Sequence, residues 1–197
     1  MSSSQAKPKV YLAGPDVFLP TPVARGEELK ALCSGHGLDG LFPLDNALAG
    51  HEPGSFAFAR AIRGANMELV RSCDGVLANM TPFRGPSMDV GTAYEMGVGA
   101  ALGKVVVGYT TDGGMGYVEK VHAWAGEGAG RVVRGEDGQL RDVRGMAVEE
   151  FRDEAGARGL VDNLMVSCGI ARLCLSEEEA VRVMAGELLK RAERAAE

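Results

Sequence analysis

Short apolar runs alternate along the first half of the chain with segments whose apolar residues recur three or four positions apart. "KVYLAGP" (Lys9 to Pro15) is an apolar run closed by Gly14-Pro15, which predicts a buried strand followed by a turn. "VARGEELKALCSGHG" spaces Val23, Leu29, Leu32 and Cys33 like one helix face, with Gly35 and Gly37 as stop signals. "DGLFPLDN" predicts a second short strand ending near Leu44. "GSFAFARAIRGANMELVRSCDG" has helical spacing at Ala61, Ile62, Ala65, Leu69 and Val70. "GVLANM" (Gly75 to Met80) predicts a third strand, Thr92 to Leu102 a third helix, and "KVVVGYT" (Lys104 to Thr110) a fourth, strongly β-branched strand.

This order predicts an α/β fold: a doubly wound, flavodoxin-like sheet of about five mainly parallel strands with helices on both faces. In such sheets a ligand lies beyond the carboxyl ends of the strands. That rule selects Gly14 to Phe18, Asp45 and Asn46, Asn79 to Asp89, and Tyr109 to Asp112. Gly14, Asp16 and Phe18 are the candidates after the first strand.

Beyond Thr111 the pattern weakens. Glycine- and charge-rich stretches around 112–158 read as loops, a flap or an insertion, before "GLVDNLMVSCGI" and "ARLCLS" turn apolar again. "SEEEAVRVMAGELLKRAERAAE" predicts a helix with Ser176 as N-cap, acids in its first turn and a stripe of Ala180, Val183, Met184, Leu188 and Leu189. The expected organisation is a disordered lead over 1–8 and one α/β catalytic domain over 9–197.

Composition narrows the function. A net charge of -6 disfavours sequence-independent nucleic-acid binding, which needs a basic face. No apolar run approaches the roughly 18 residues of a membrane helix, and "MSSSQAKPKV" lacks a signal-peptide core. Neither nucleic acid nor membrane is therefore an expected partner. Cys33, Cys73, Cys168 and Cys174 show no CxxC spacing and have only His36, His51 and His122 beside them. Buried free thiols in a reducing cytosol are expected, with neither a metal nor an organic cofactor.

The chemistry concentrates in "PFRGPSMDVGTAYEMGVGAALGK", Pro82 to Lys104, where Asp89 and Glu95 stand among small residues. One reading is structural. Thr92-Ala-Tyr-Glu95 fits a capping box, Asp89 favours the positive end of a helix, and Gly97, Gly99 and Gly103 pack the helix closely on the sheet. The other reading is chemical: one carboxylate attacks or stabilises a developing cation and the other moves protons. Six helical positions are about 600° of rotation, so Asp89 belongs in the preceding loop and Glu95 near the end of the first turn.

"YLAGPDVF", "FPLDN", "PFRGPSMDVGTAYEMGVGAALGK" and "DNLM", in that order from Tyr11 to Met165, together resemble the nucleoside 2-deoxyribosyltransferase family. The resemblance implies exchange of the base on a 2'-deoxyribonucleoside, with 2'-deoxynucleosides and free nucleobases as partners. It implies that Glu95 attacks C1', that Asp89 assists protonation of the base or holds the 5'-hydroxyl, and that Tyr11 orients the nucleophile. Asp45 and Asn46 stand at the family's "DN", for which a simple turn is the alternative. Asn163 matches an asparagine that enters a neighbouring subunit's site, which implies a homodimer or higher homo-oligomer; a turn-capping Asn is the alternative. Asn66, eight residues before Asp74, stands where broader relatives carry Asp, and so resembles the purine-type branch.

Three rivals remain in view. A nucleotide N-glycosidase needs a basic loop after the first strand, whereas here Asp16 would repel a phosphate and no Arg or Lys precedes Arg25. A non-catalytic nucleoside-binding protein would not need Glu95. A flavin module would need a Ser/Thr-rich phosphate cradle that "GPDVF" lacks.

Overall fold

A computed structural model of the chain describes residues 6–45, 48, 50–125 and 132–196. The elements run β1 (Lys9–Ala13), α1 (Pro22–Gly35), β2 (Asp39–Leu41), α2 (Phe56–Ser72), β3 (Gly75–Asn79), α3 (Val90–Ala101), β4 (Val105–Tyr109), α4 (Tyr117–Ala125), β5 (Val133–Arg134), β6 (Leu140–Arg141), α5 (Leu164–Ser167), β7 (Arg172–Cys174) and α6 (Glu177–Ala196). Five strands form one parallel sheet in the order β2-β1-β3-β4-β7, and β5 and β6 pair antiparallel outside it. This is the flavodoxin-like order, in which the winding reverses between β1 and β3.

Strand alternation divides the core into two. Val10 and Leu12 of β1 join Leu29, Cys33, Leu77, Val107, Ala180 and Met184 on the face covered by α1 and α6. Tyr11 and Ala13 point the other way, with Val70, Val76, Ala78, Met96 and Val106, under α2 and α3. Burial on both faces is why the central strands read as continuous apolar runs. Gly99 brings α3 close to the sheet: a Cβ there would stand 2.7 Å from Val76 Cγ2.

Several expectations need correction. The second strand stops at Leu41, because Pro43–Asp45 coils into a 3-10 turn closed by the Asp45 carboxylate. The third helix begins at Val90 rather than Thr92. The 112–158 region is not loop alone, since it contains α4 and the β5–β6 hairpin. Gly97 has open space beside it, and Gly103 ends α3 with a left-handed φ of 67°, so Gly99 alone of the three packs on the sheet. Ile62 and Leu189 are exposed, and Met67 and Val181 take the buried positions. Cys168 is exposed while the other three thiols are buried. Of the expected lead, residues 1–5 lie outside the described residues, and the Pro8 carbonyl accepts from Asp39 N at 2.8 Å. Among the described residues no helix is long and apolar enough to cross a membrane.

Candidate active site

The carboxyl ends of β1 and β3 bring together residues from four parts of the chain. Tyr11 lies on β1 and is fully buried, with its ring among the α2 and α3 side chains. Its hydroxyl donates to Glu95 Oε1 at 2.7 Å. Asn66, on α2, directs its Nδ2 to the same oxygen at 3.4 Å, a long contact, while its Oδ1 is buried without a hydrogen-bond partner. The three side chains converge because α2 and α3 pack side by side over the face of β1 that carries Tyr11.

Asp89 is the N-cap of α3. Its Oδ2 accepts from Thr92 N at 2.8 Å and Thr92 Oγ1 at 3.0 Å. The expected capping box is therefore not formed: Thr92 donates instead of accepting. Glu95, the sixth residue of the helix rather than a first-turn residue, turns inward to Tyr11. Capping needs one acid here, and Asp89 supplies it.

Burial, together with the charge of Asp89, pushes the Glu95 carboxyl up to about 7, against the lowering effect of the hydrogen bonds from Tyr11 and Asn66. Burial and the neighbouring Glu95 push the Tyr11 phenol far above its ordinary value, so it stays protonated and donates. The site thus holds a carboxylate that ionises near neutrality, fixed by a permanent donor. Such a group is suited to proton transfer or to attack on a carbon that develops positive charge.

Around this centre, Gly14 allows the chain to pass close to β3. A Cβ there would meet Asn79 Cβ at 2.9 Å and Asp16 Oδ2 at 2.7 Å. Asp16 is buried, accepting from Arg25 Nε at 2.9 Å and Asn79 Nδ2 at 3.0 Å. Arg25 also pairs with Glu177, linking the first loop to α6. Phe18 is 57% exposed and stacks on Phe83 with centroids 5.3 Å apart. The Arg84 guanidinium lies over both rings, at 5.1 and 4.5 Å, from a backbone with φ of 55°. The expected repulsion of phosphate by Asp16 is therefore countered by Arg25, and a cation does stand beside the first loop. Arg84 lies within the Asn79 to Asp89 stretch that the strand-end rule selects, but no local signal singles it out or links it to Phe18.

The remaining candidates lie apart from the Glu95 cluster in their bonding. Asp45 accepts from Phe42 N at 2.8 Å and Lys30 Nζ at 2.7 Å, the arrangement of a turn. Asn46 lies outside the described residues. Asn163 caps α5: its Oδ1 accepts from Met165 N at 2.9 Å and its Nδ2 donates to Glu149 Oε1 at 2.6 Å. Cavities of about 380, 620 and 930 Å³ open among residues 114–179, the second also against Pro86, and none of the three is lined by Tyr11, Asn66, Asp89 or Glu95. Among the described residues no cluster of His, Cys, Asp and Glu side chains is arranged to hold a metal ion.

The sequence model of the family Nucleoside 2-deoxyribosyltransferase matches residues 10–165, which include every member of this cluster. The chain belongs to that family. It is accordingly a glycosyl-transferring enzyme, and its five-stranded parallel α/β fold matches a solved relative. A 2-desoxiribosyltransferase from Leishmania mexicana superposes with a TM-score of 0.66 at 32% identity, covering 91% of this chain and 97% of that one. An uncharacterised protein of Schizosaccharomyces pombe is 36% identical over 194 residues, 93% of this chain and 90% of its own length. A conserved protein from Enterococcus faecalis V583, at 24% identity and a TM-score of 0.56 over 94% of this chain and 99% of that one, shares the fold.

Proposed function

We propose that this family member moves 2-deoxyribose from one purine to another by two displacements at C1', through a deoxyribosyl ester of Glu95. The observation that carries the reading is a buried carboxylate held by Tyr11 Oη at 2.7 Å, with Asp89 near enough to raise its pKa. In the first displacement the C1'–N bond breaks, its electron pair leaves with the base, and a Glu95 oxygen bonds to C1'. A proton is supplied to the departing base, for which Asp89 is the candidate carrier. In the second, a nitrogen of the incoming base attacks C1', releases the carboxylate and gives up its proton. Two inversions retain the β configuration. A poorly solvated anion stabilises the oxocarbenium-like transition state by charge, and Tyr11 keeps it aimed. The two carboxylates supply nucleophile and proton carrier, so the reading needs no metal or organic cofactor.

Purine preference rests on Asn66. Its buried Oδ1 has no partner, and an unsatisfied acceptor costs about 1–3 kcal/mol. A donor on the substrate would relieve that cost. A homo-oligomer in which Asn163 enters a neighbouring site is part of the proposal. Val90 and Met165, exposed apolar residues adjacent to Asp89 and close to Asn163, are what a second copy would cover.

Hydrolysis of 2'-deoxynucleoside 5'-monophosphates is the second reading, favoured by Arg84 beside Phe18 and by the Arg25–Asp16 pair. One assay separates them. The protein is incubated with 2'-deoxyinosine, with and without adenine, and with 2'-deoxyinosine 5'-monophosphate, and products are resolved by chromatography. Deoxyadenosine formed only when adenine is present supports transfer. Free sugar phosphate released from the monophosphate at a faster rate supports the hydrolase and defeats transfer as the main activity.

A further inference from the structure

Asp162 is 3% exposed, yet its carboxylate partners are two backbone N–H groups rather than a cation. Lys120, which donates to the neighbouring Val161 carbonyl, pairs with Asp112 instead. Asp162 Oδ2 accepts from Met88 N at 2.7 Å, across 74 residues of sequence, and Oδ1 accepts from Asn163 N at 2.7 Å. Its own backbone is clamped by Ser167: Asp162 N donates to Ser167 Oγ at 3.1 Å, and that hydroxyl donates to the Asp162 carbonyl at 2.9 Å. Burying a carboxylate is expensive unless its lone pairs are met by donors. A turn on the surface needs no such group. What the placement achieves is a fixed link between the loop that ends in Asp89 and the segment that presents Asn163.

We propose that Asp162 is a positioning residue for transfer: one buried carboxylate fixes both Asp89, one residue beyond Met88, in its own site and Asn163, the residue proposed for the neighbouring site. The inference rests on the reading of Asp89 and Asn163 given above. Releasing Met88 N frees the end of the 81–88 loop, and with it the cap of α3 and the proton carrier. A displacement of about 1 Å in a reacting constellation is enough for a roughly hundredfold loss. Asn at 162 can accept from only one of the two N–H groups with its Oδ1, and its Nδ2 then opposes the other.

The test compares wild type, Asp162→Asn and Ser167→Ala as full-length proteins, with 2'-deoxyinosine as donor and adenine as acceptor at a temperature well below the melting point of each. The expected result for Asp162→Asn is a fall in kcat of about tenfold or more, with donor KM changed by less than about threefold. Ser167→Ala, which loosens the same turn and leaves the carboxylate in place, is expected to lower kcat by a smaller factor, about three- to fivefold. A purely structural Asp162 would lower the melting temperature and leave kcat per folded enzyme within about twofold of wild type; that result in either folded variant overturns the proposal. If Asp162→Asn does not fold, Ser167→Ala alone decides. Absence of transfer in the wild type would instead defeat the functional reading, so the two failures are distinct.

Discussion

Tyr11 and Glu95, 84 residues apart in the chain, share a 2.7 Å hydrogen bond at the point where the sheet reverses its winding. The bond ties the first strand to the third helix across the buried face. Glu95 therefore has a position set by the strand and an acidity set by its burial, and each has a measurable consequence.

Replacing Glu95 by Gln keeps an acceptor for Tyr11 and removes the nucleophile. Transfer should fall roughly a thousandfold or more. Stability should respond in the opposite sense at high pH. The folded carboxyl ionises near 7, against an ordinary value of 4.5. Between those values the folded state holds a proton that the unfolded state releases, so wild-type stability falls as pH rises through this window. The full penalty above pH 7 is on the order of 3 kcal/mol. Urea denaturation of Glu95→Gln and wild type at pH 5 and pH 8 should show the variant gaining relative stability at pH 8. An unchanged difference would mean that Glu95 is not held with a raised pKa.

Tyr11→Phe retains the ring in its packed position and deletes the donor. The hydrogen bond lowers the Glu95 pKa, so its loss raises it. Activity that requires the carboxylate is lost as pH falls through its pKa. The acid limb of kcat/KM, near 7 in the wild type, should therefore move upward in Tyr11→Phe, by up to about one unit, with a lower plateau. A limb displaced to lower pH would contradict the electrostatic account of the pair.

The strand order, the two-faced burial of β1, β3 and β4, and the nearness of Glu95 to the strand ends follow from apolar runs and helical spacing, because parallel central strands write an unambiguous pattern. The partners of Glu95 do not. Tyr11, Asn66 and Glu95 lie on three different elements, and no local spacing reports which residues tertiary packing will join. The resemblance to a family supplied what periodicity could not. The capping box failed for a related reason: its pattern is satisfied by residue types alone, whereas here Asp89 takes the Thr92 N–H as N-cap and Glu95 turns inward to Tyr11. The region after Thr111 is opaque because α4 and the β5–β6 hairpin are short and are held by side-chain links such as Lys120 to Asp112 and Arg134 to Glu150.

Gly97 and Gly99 lie on the same helix and should respond oppositely to alanine. Gly97 faces open space, so alanine should stabilise α3 by up to about 1 kcal/mol through helix propensity. Alanine at Gly99 would put Cβ 2.7 Å from Val76 Cγ2 and lift the helix off the sheet. A loss of about 1–3 kcal/mol is expected, with reduced transfer because Glu95 moves with the helix. Thermal melts of both variants, with transfer assayed in parallel, check the pair. Equal effects of the two substitutions would refute the close-packing role of Gly99.

Asn66→Asp tests charge and base choice in one substitution. The amide Nδ2 now faces Glu95 Oε1 at 3.4 Å as a donor. A carboxylate in its place would add a like charge and remove that donor, and both changes raise the Glu95 pKa above its present value near 7. The acid limb of kcat/KM should shift upward. Base selection should change as well, since an ionised Asp only accepts hydrogen bonds while Asn also donates. With adenine as acceptor and equal concentrations of 2'-deoxyinosine, thymidine and 2'-deoxycytidine as donors, the wild type should favour deoxyinosine by about tenfold or more. In Asn66→Asp the ratio of pyrimidine to purine donor rates should rise several-fold. Equal use of thymidine and deoxyinosine by the wild type would defeat the purine reading. A changed limb with an unchanged donor ratio would leave Asn66 as a neighbour of the nucleophile alone, with base choice decided elsewhere in the site.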